Sequence, residues 1–406
     1  MAVAALRLRA QGAAWSAGAG YLRMERAPGA LPELDGLRAL AIVLVLLRHA
    51  VRPFHPEVAP LLPLGPWDAA TPLENGWMGV DLFFVLSGFL ITHHICRRYG
   101  AGLDRRGAAD YFRRRALRIV PAYYAVLLLA AAGAFPLYPV APEHLGRRVG
   151  YHLLFMQDYL PSDIVVVFWS LGVEEKFYLL APVFLTGVLA CRRRALQYVA
   201  VAVLALLPMA LRALARATAP PSLGYDDFFM LFRSPFHLSF DGLAVGMLCA
   251  LLYRDRAHLA WARRPVADGL FWIGAAVVGY LLLARPLLFE IDLFAIVFLQ
   301  ALLALGMGAV LLGLVLGGGP RAGLRPYALF VVSKLAYALY LVHYALIPAV
   351  LGALGAVLPL AALPRALQLA AFLPFYLALS FAAALVLHYA VEKPFLLLRD
   401  RRPAYA

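Results

Sequence analysis

Ten apolar stretches alternate with polar, arginine-bearing segments along this chain. They fall at residues 37–51, 77–95, 117–135, 165–190, 196–214, 238–252, 266–283, 291–316, 327–350 and 367–389. A helix crossing a bilayer takes about 20 mostly apolar residues, so the pattern predicts an all-α, polytopic transmembrane bundle of about ten spans. Two stretches depart from the simple form. The first lies between Arg38 and Arg52 and runs only about 21 Å at 1.5 Å per residue. The fourth is interrupted by Ser170, Gly172, Glu174, Glu175 and Lys176, so its first part is expected to be broken or re-entrant. Irregular backbone at membrane depth needs protein or a water-filled cavity to satisfy it. Both departures point to a polar interior. No internal repeat and no long Gly/Ser/Pro linker interrupts the series.

Charge orients the bundle. Arginine concentrates in alternate connections: Arg97 to Arg118 in the second, Arg192 to Arg194 in the fourth, Arg254 to Arg264 in the sixth. Arg321, Arg325 and Lys334 follow in the eighth, and Lys393, Arg399, Arg401 and Arg402 in the tail. The intervening connections hold fewer. By the positive-inside rule both termini are expected in the cytoplasm, which requires an even number of spans. Composition agrees: 63% of residues are apolar and 15% charged, with mean hydropathy +0.78, outside the range of soluble domains. The formal net charge of +14 would suggest nucleic acid in a soluble chain. Here topology accounts for it, and no nucleic-acid partner is expected. Cys96, Cys191 and Cys249 match neither a disulfide framework nor a metal site. Residues 1–30 are read as a disordered N-terminal extension, with Met24 an alternative first residue and no cleavable signal peptide evident; a single membrane domain fills 31–402.

Ionisable groups inside a bundle mark a functional site by default. Arg38 and His49 lie eleven residues apart, so at about 100° per residue they share a face to within about 20°, some 16 Å apart in depth. A neutral imidazole keeps one nitrogen free to accept a proton. The bland reading is a snorkelling Arg38 and an interfacial His49, and the pattern alone leaves both open. Asp81 lies in GVDLFFVLSGFLIT, where it is suited to orient a histidine or pair with an arginine. Ser87 and Gly88 there suit close helix contact. The run Arg113, Arg114, Arg115 and Arg118 sets orientation or captures a phosphorylated ligand through guanidinium forks. In FWSLGVEEKFYLLAP, Glu174 and Tyr178 share a helical face, with Trp169 and Ser170 one turn before. A carboxylate there needs a partner. Arg233, Asp241 and His343 are further candidates; alone, His343 reads as packing or hydrogen bonding. His93 and His94 at a helix end are read as solvated. No metal-ligand spacing, Walker loop or dinucleotide fingerprint is present, and no bound cofactor is expected.

Taken in order, these motifs resemble acyltransferase family 3. The stretches are LDGLRALAIVLVLLRHA, GVDLFFVLSGFLIT, RRALRIVP, WSLGVEEKFYLLAP, FDGLAVGMLCALL, LAYALYLVHYALI and VEKPFLLLRDR, from about Leu31 to Arg402. The resemblance implies a ten-helix core that takes an acyl group, usually acetyl, from cytoplasmic acyl-CoA. The acceptor is a hydroxyl of an extracytoplasmic or lipid-linked sugar or glycoside, and the setting a bacterial inner membrane. It implies roles for Arg38 and His49 as the family's Arg/His pair, for Arg115 and Arg118, with Arg114 beside them, in CoA contact, and for Glu174 as the acid of the WSLxVE motif. His49 is then the catalytic base or the acyl carrier, with Glu174 or Asp81 orienting its ring. The chain departs from the usual pattern at Arg48, where an aromatic is common, and resembles the stand-alone form without a hydrolase-like domain. Two other classes fit part of the pattern. A transporter or flippase for an anionic or lipid-linked saccharide would use the same polar groups as a path; a non-catalytic scaffold would leave them unexplained.

Overall fold

The computed structural model describes residues 21, 24–26, 29–55, 60–65, 67–100, 103–220, 222–284 and 291–401. Most of the expected N-terminal extension lies outside the described residues. The main helices are α1 (Pro32–Val51), α2 (Met78–Tyr99), α3 (Arg105–Ala131), α4 (Leu145–Leu153), α5 (Trp169–Ala190), α6 (Arg194–Thr218) and α7 (Asp241–Arg254). They continue as α8 (Arg264–Leu283), α9 (Leu299–Val315), α10 (Tyr327–Val342), α11 (Ile347–Val357), α12 (Arg365–Leu387) and α13 (Lys393–Asp400). The strands among the described residues are Pro63–Leu64 and Trp67–Asp68, an antiparallel pair in the loop between α1 and α2.

Each of the ten apolar stretches contains a helix, and the protein is an integral membrane protein by the apolarity and exposure of those helices. Four of them are long and apolar enough to cross a bilayer unaided: Thr71–Tyr99, Arg194–Thr218, Arg264–Leu283 and Arg365–Asp400. A fifth is the pair Tyr327–Val342 and Tyr344–Val357, bent by 58°. Helices α7 and α9 are short. Helices α1, α3 and α5 carry charges that offset their apolar residues: Asp35, Arg38 and Arg48 on α1, Arg114, Arg115 and Arg118 on α3, and Glu174, Glu175 and Lys176 on α5. The residues that weaken these three as lipid-facing spans are largely the sequence's site candidates.

Burial separates centre from rim. The apolar window of the α2 span is 67% buried, against 17% for α6, 17% for α8 and 28% for the α12 span. The rim helices turn Val203, Leu206, Trp272, Ile273, Phe375 and Val386 outward, an apolar belt that only lipid hydrocarbon leaves satisfied. At the centre, α2 and α7 meet backbone to backbone. A Cβ on Gly88 would fall 2.0 Å from the Leu243 carbonyl oxygen, and one on Gly246 would fall 2.1 Å from that of Val85. Small residues allow this approach, which sets membrane helix pairs without a hydrophobic driving force.

The interruption expected in the fourth stretch is not there. Helix α5 is continuous from Trp169, preceded by a tight 3-10 turn, Val166–Phe168. Its polar run is tolerated because Lys176 reaches Asp158 at 2.5 Å and Glu174 reaches Ser87. The break falls instead inside the ninth stretch, between α10 and α11. Pro348, near the start of α11, lacks an N–H and its ring crowds the carbonyl one turn back, and His343 sits at the corner. The first helix is also longer than its apolar part, beginning at Pro32 with Glu33 and Asp35 in its first turn. The arginine cluster read as a connection is itself helical, forming the first half of α3.

Both ends of the described chain gather at the same end of the bundle. Tyr21 donates to the Tyr389 carbonyl, Arg26 pairs with Asp35 and donates to the Arg325 carbonyl, and Arg113 donates to the Leu398 carbonyl. The first turn of α1 and the first half of α3 lie here too, and it is called the basic end below.

Candidate active site

A cavity of about 500 Å³ opens at the basic end between α1, α2, α3, α5 and α10. Asp35, Arg38, Ser87, Arg115, Arg118, Ser170, Glu174, Tyr178, Lys334 and Tyr340 line it. On α1, Arg38 donates to the Ser333 hydroxyl at 3.2 Å and stands 3.8 Å from Asp35. On α5, Glu174 accepts from the Ser87 hydroxyl at 2.6 Å. Tyr178, one turn on, stands 3.5 Å from the same hydroxyl, as the shared helical face of Glu174 and Tyr178 requires. The Arg115 guanidinium lies over the rings of Tyr178 and Tyr111, 5.4 and 5.8 Å from their centroids. Arg115, Arg118 and Lys334 form no ion pair with a carboxylate among the described residues. Arg38, Arg97, Arg115, Arg118 and Lys334 outnumber Asp35, Glu174 and Glu392 along the lining, which leaves the cavity net positive. Arg114, expected beside them, turns away: it donates to Asp110 at 3.1 Å and reaches Asp400 at 3.5 Å, off the cavity wall. His93 and His94, read as solvated, line the cavity, and His93 packs against Tyr253.

Toward the other end of α1, past Tyr340, lies His49. Its Nδ1 is 3.0 Å from the Val45 carbonyl and 3.1 Å from Nε2 of His343. The Tyr344 ring meets His49 edge-on at 5.1 Å. His343 is fully buried at the α10–α11 corner, with Nδ1 3.0 Å from the Leu339 carbonyl and 2.9 Å from that of Tyr340. Tyr340 joins the two regions. It lines the cavity, its hydroxyl donates to the Val167 carbonyl at 2.7 Å and meets the Ser170 hydroxyl at 2.5 Å, and its ring lies 5.8 Å from that of His343.

Neither carboxylate expected to orient His49 bonds to it. Asp81 is held by Arg233, which donates two parallel bonds of 2.9 and 2.8 Å with its guanidinium between Trp77 and Trp169. Glu174 faces the cavity. A short, partly buried carboxylate prefers the nearest guanidinium or hydroxyl donor, and both find one on a neighbouring helix. Asp241 is likewise taken, by a fully buried Arg212 at 2.7 and 2.8 Å. Sequence reading missed Arg212, although it is a charge within the apolar stretch 196–214. It also missed Asp35, Ser333 and Tyr340 and placed Lys334 in a connection; Ser333 and Tyr340 carry no signal apart from their cavity. Elsewhere, in the loop after α1, His55, Asp68 and Glu74 bring ligand atoms within 4.8 Å of one another, with His55 paired directly to Glu74.

The cavity holds Arg38 of the Arg/His pair that the motifs implied, while His49 lies outside its lining beside His343, a partner the motifs did not imply. The family model described as an acyltransferase domain, that of acyltransferase family 3, matches residues 31–389. The chain belongs to acyltransferase family 3. That family is described by acyl transfer, which weighs for an enzyme over a carrier or a scaffold for the polar interior. Among curated relatives, the peptidoglycan O-acetyltransferase OatA of Listeria monocytogenes is 27% identical over 169 residues, 38% of this chain and 24% of the relative. The O-acetyltransferase OatA of Staphylococcus aureus is 26% identical over 183 residues, 42% of this chain and 27% of the relative. The aligned region thus spans about a quarter of each relative's length. No solved structure matches the chain.

Proposed function

We propose that this protein moves an acetyl group from acyl-CoA at the cytoplasmic face to a hydroxyl of an extracytoplasmic or lipid-linked sugar. Arg115, Arg118 and Lys334, which line the cavity without a direct ion pair among the described residues, carry the reading. CoA brings several phosphate charges, and guanidinium groups match phosphate oxygens in pairs. Arg38, deeper on α1, faces the same space and is suited to the pantetheine arm or the thioester oxygen. The thioester then reaches Ser170 and Tyr340, next to the histidine pair.

At the opposite end of the bundle a groove of about 1010 Å³ runs between residues 139–148 and 160–163. Tyr138, next to the groove's Pro139, packs on Tyr344, which edges His49. An acceptor sugar entering here meets His49 from the side away from CoA. As the acceptor oxygen forms its bond to the thioester carbonyl, His49 takes the hydroxyl proton; the C–S bond breaks and the CoA thiolate recovers the proton. A second route passes the acyl group through His49 itself, forming and then breaking an N-acyl bond. Both begin from a lone pair on His49. The relatives' names, peptidoglycan O-acetyltransferase and O-acetyltransferase, support an envelope glycan as acceptor and acetyl as the acyl group. The reading entails about ten spans, both termini cytoplasmic and a bacterial inner membrane. The gathering of both ends of the described chain at the basic end supports it, with shorter polar helices shielded from lipid by the rim.

The test uses inside-out membrane vesicles from an expressing bacterial host, given labelled acetyl-CoA in the medium. Alkali-labile acetyl esters should accumulate on saccharide inside the vesicles. Label that stays in CoA while an intact donor site binds it would overturn the assignment.

A further inference from the structure

We infer that His343 positions His49 for catalysis by fixing its tautomer, so that Nδ1 carries the ring proton and the Nε2 lone pair faces the substrates. The inference deepens the proposed reaction and rests on His49 being the group that meets the acceptor.

A neutral imidazole has one N–H donor and one acceptor nitrogen. His343 Nδ1 lies against two carbonyl oxygens, of Leu339 and Tyr340, at 3.0 and 2.9 Å. Carbonyls only accept, so Nδ1 of His343 is the donor and its Nε2 is the acceptor. That Nε2 stands 3.1 Å from His49 Nδ1, which also faces the Val45 carbonyl at 3.0 Å. Two acceptors converge on His49 Nδ1, so the proton is there. The remaining nitrogen, Nε2, makes no hydrogen bond among the described residues and is left with its lone pair. The buried carbonyls of the α10–α11 corner thereby act through His343, together with the Val45 carbonyl, to hold the proton on Nδ1 and leave Nε2 as the nitrogen of His49 that reacts.

The surroundings lock this chain of bonds. His343 is fully buried, so water cannot offer its Nδ1 another partner. It sits where α10 breaks, and its ring adds a second donor to the Leu339 carbonyl, which already accepts from the His343 backbone N–H at 3.0 Å. The two imidazole rings are tilted by 48°, and Tyr344 meets His49 edge-on at 87°, which opposes a ring flip. His49 itself is only half-buried. When Nε2 takes a proton, the charged ring keeps its Nδ1–H donated to Val45 and His343. In a catalytic triad a carboxylate holds the histidine's tautomer; here Asp81 and Glu174 are engaged elsewhere and a second imidazole takes that place.

The test combines a spectrum with kinetics on full-length protein in nanodiscs. Side-chain ¹⁵N resonances, assigned by comparison with His49→Ala, should show His49 protonated at Nδ1 and unprotonated at Nε2. In His343→Leu, with only the Val45 carbonyl left to hold the Nδ1 proton, the His49 resonances should shift part-way toward the other tautomer, and kcat should fall by about 100-fold or more, within the range of general-base effects, with KM for acetyl-CoA unchanged. His343→Gln, whose amide oxygen also accepts, should recover most of kcat. A wild-type spectrum with the proton on Nε2, or a His343→Leu enzyme with wild-type kcat, would overturn the inference. The spectrum reads out even where the leucine variant fails to fold. Full activity of His49→Ala would remove the underlying assignment of His49 while leaving the tautomer result standing.

Discussion

Arg233 grips Asp81 through two parallel hydrogen bonds of 2.9 and 2.8 Å, its guanidinium lying over Trp169 at 5.1 Å. The pair ties α2 to the π-helical segment Phe229–Arg233 before α7. It stands near the cavity without joining its wall. Removing one partner of a buried pair typically costs about 3–5 kcal/mol because the other charge is left uncompensated. Asp81→Asn and Arg233→Met should each lower the unfolding midpoint of the purified protein, and Asp81→Leu/Arg233→Met together should recover much of the loss. Single and double variants that unfold alike would show that the pair is not structural.

Donor binding should depend on charge at the basic end. Hydrogen bonds to charged groups contribute about 1.5–3 kcal/mol, so Arg118→Ala should raise KM for acetyl-CoA by roughly 10- to 100-fold. Lys334→Met should act in the same direction, whereas Arg114→Ala, held by Asp110 away from the cavity, should change KM little. Steady-state titration of acetyl-CoA separates these outcomes. A larger effect at Arg114 than at Arg118 would place the donor elsewhere.

Glu174 bonds to Ser87 inside the cavity. Glu174→Gln keeps the hydrogen-bond acceptor but removes the charge. We expect the variant to fold and to lose transfer, with kcat reduced more than KM is raised. Ser87→Ala should share the defect in weaker form. Normal kcat in Glu174→Gln would confine the residue to packing.

The α2–α7 contact has no room for a side chain. Gly246→Val should abolish monodisperse folded protein on size exclusion, since even a Cβ there would sit 2.1 Å from a carbonyl oxygen. A folded, active valine variant would contradict the close approach.

The sequence showed the apolar rhythm well, because lipid demands long runs of apolar residues whatever the fold. It showed which residues were costly in that setting, and Arg38, Arg115, Arg118, Ser170, Glu174 and Tyr178 do converge on one cavity. Partnership was the illegible part. Asp81 and Glu174 were both offered as companions for His49, and which donor each meets is decided by helix packing between residues tens to more than a hundred positions apart. The break at His343 was hidden for a related reason: Pro348 is compatible with a kinked span or an unbroken one, and only packing selects the bend. Arg114 and Arg115 differ by one residue, yet the helical turn sends one to Asp110 and the other to the cavity.

The central claim is that acyl transfer passes by His49 from a donor at the basic end. The direct measurement reconstitutes purified protein in liposomes, supplies labelled acetyl-CoA to one face, and compares wild type with His49→Ala at matched folded content. We expect label on a saccharide acceptor, or on the protein as a labile acyl-histidine, with wild type only. Equal transfer by His49→Ala would contradict the account.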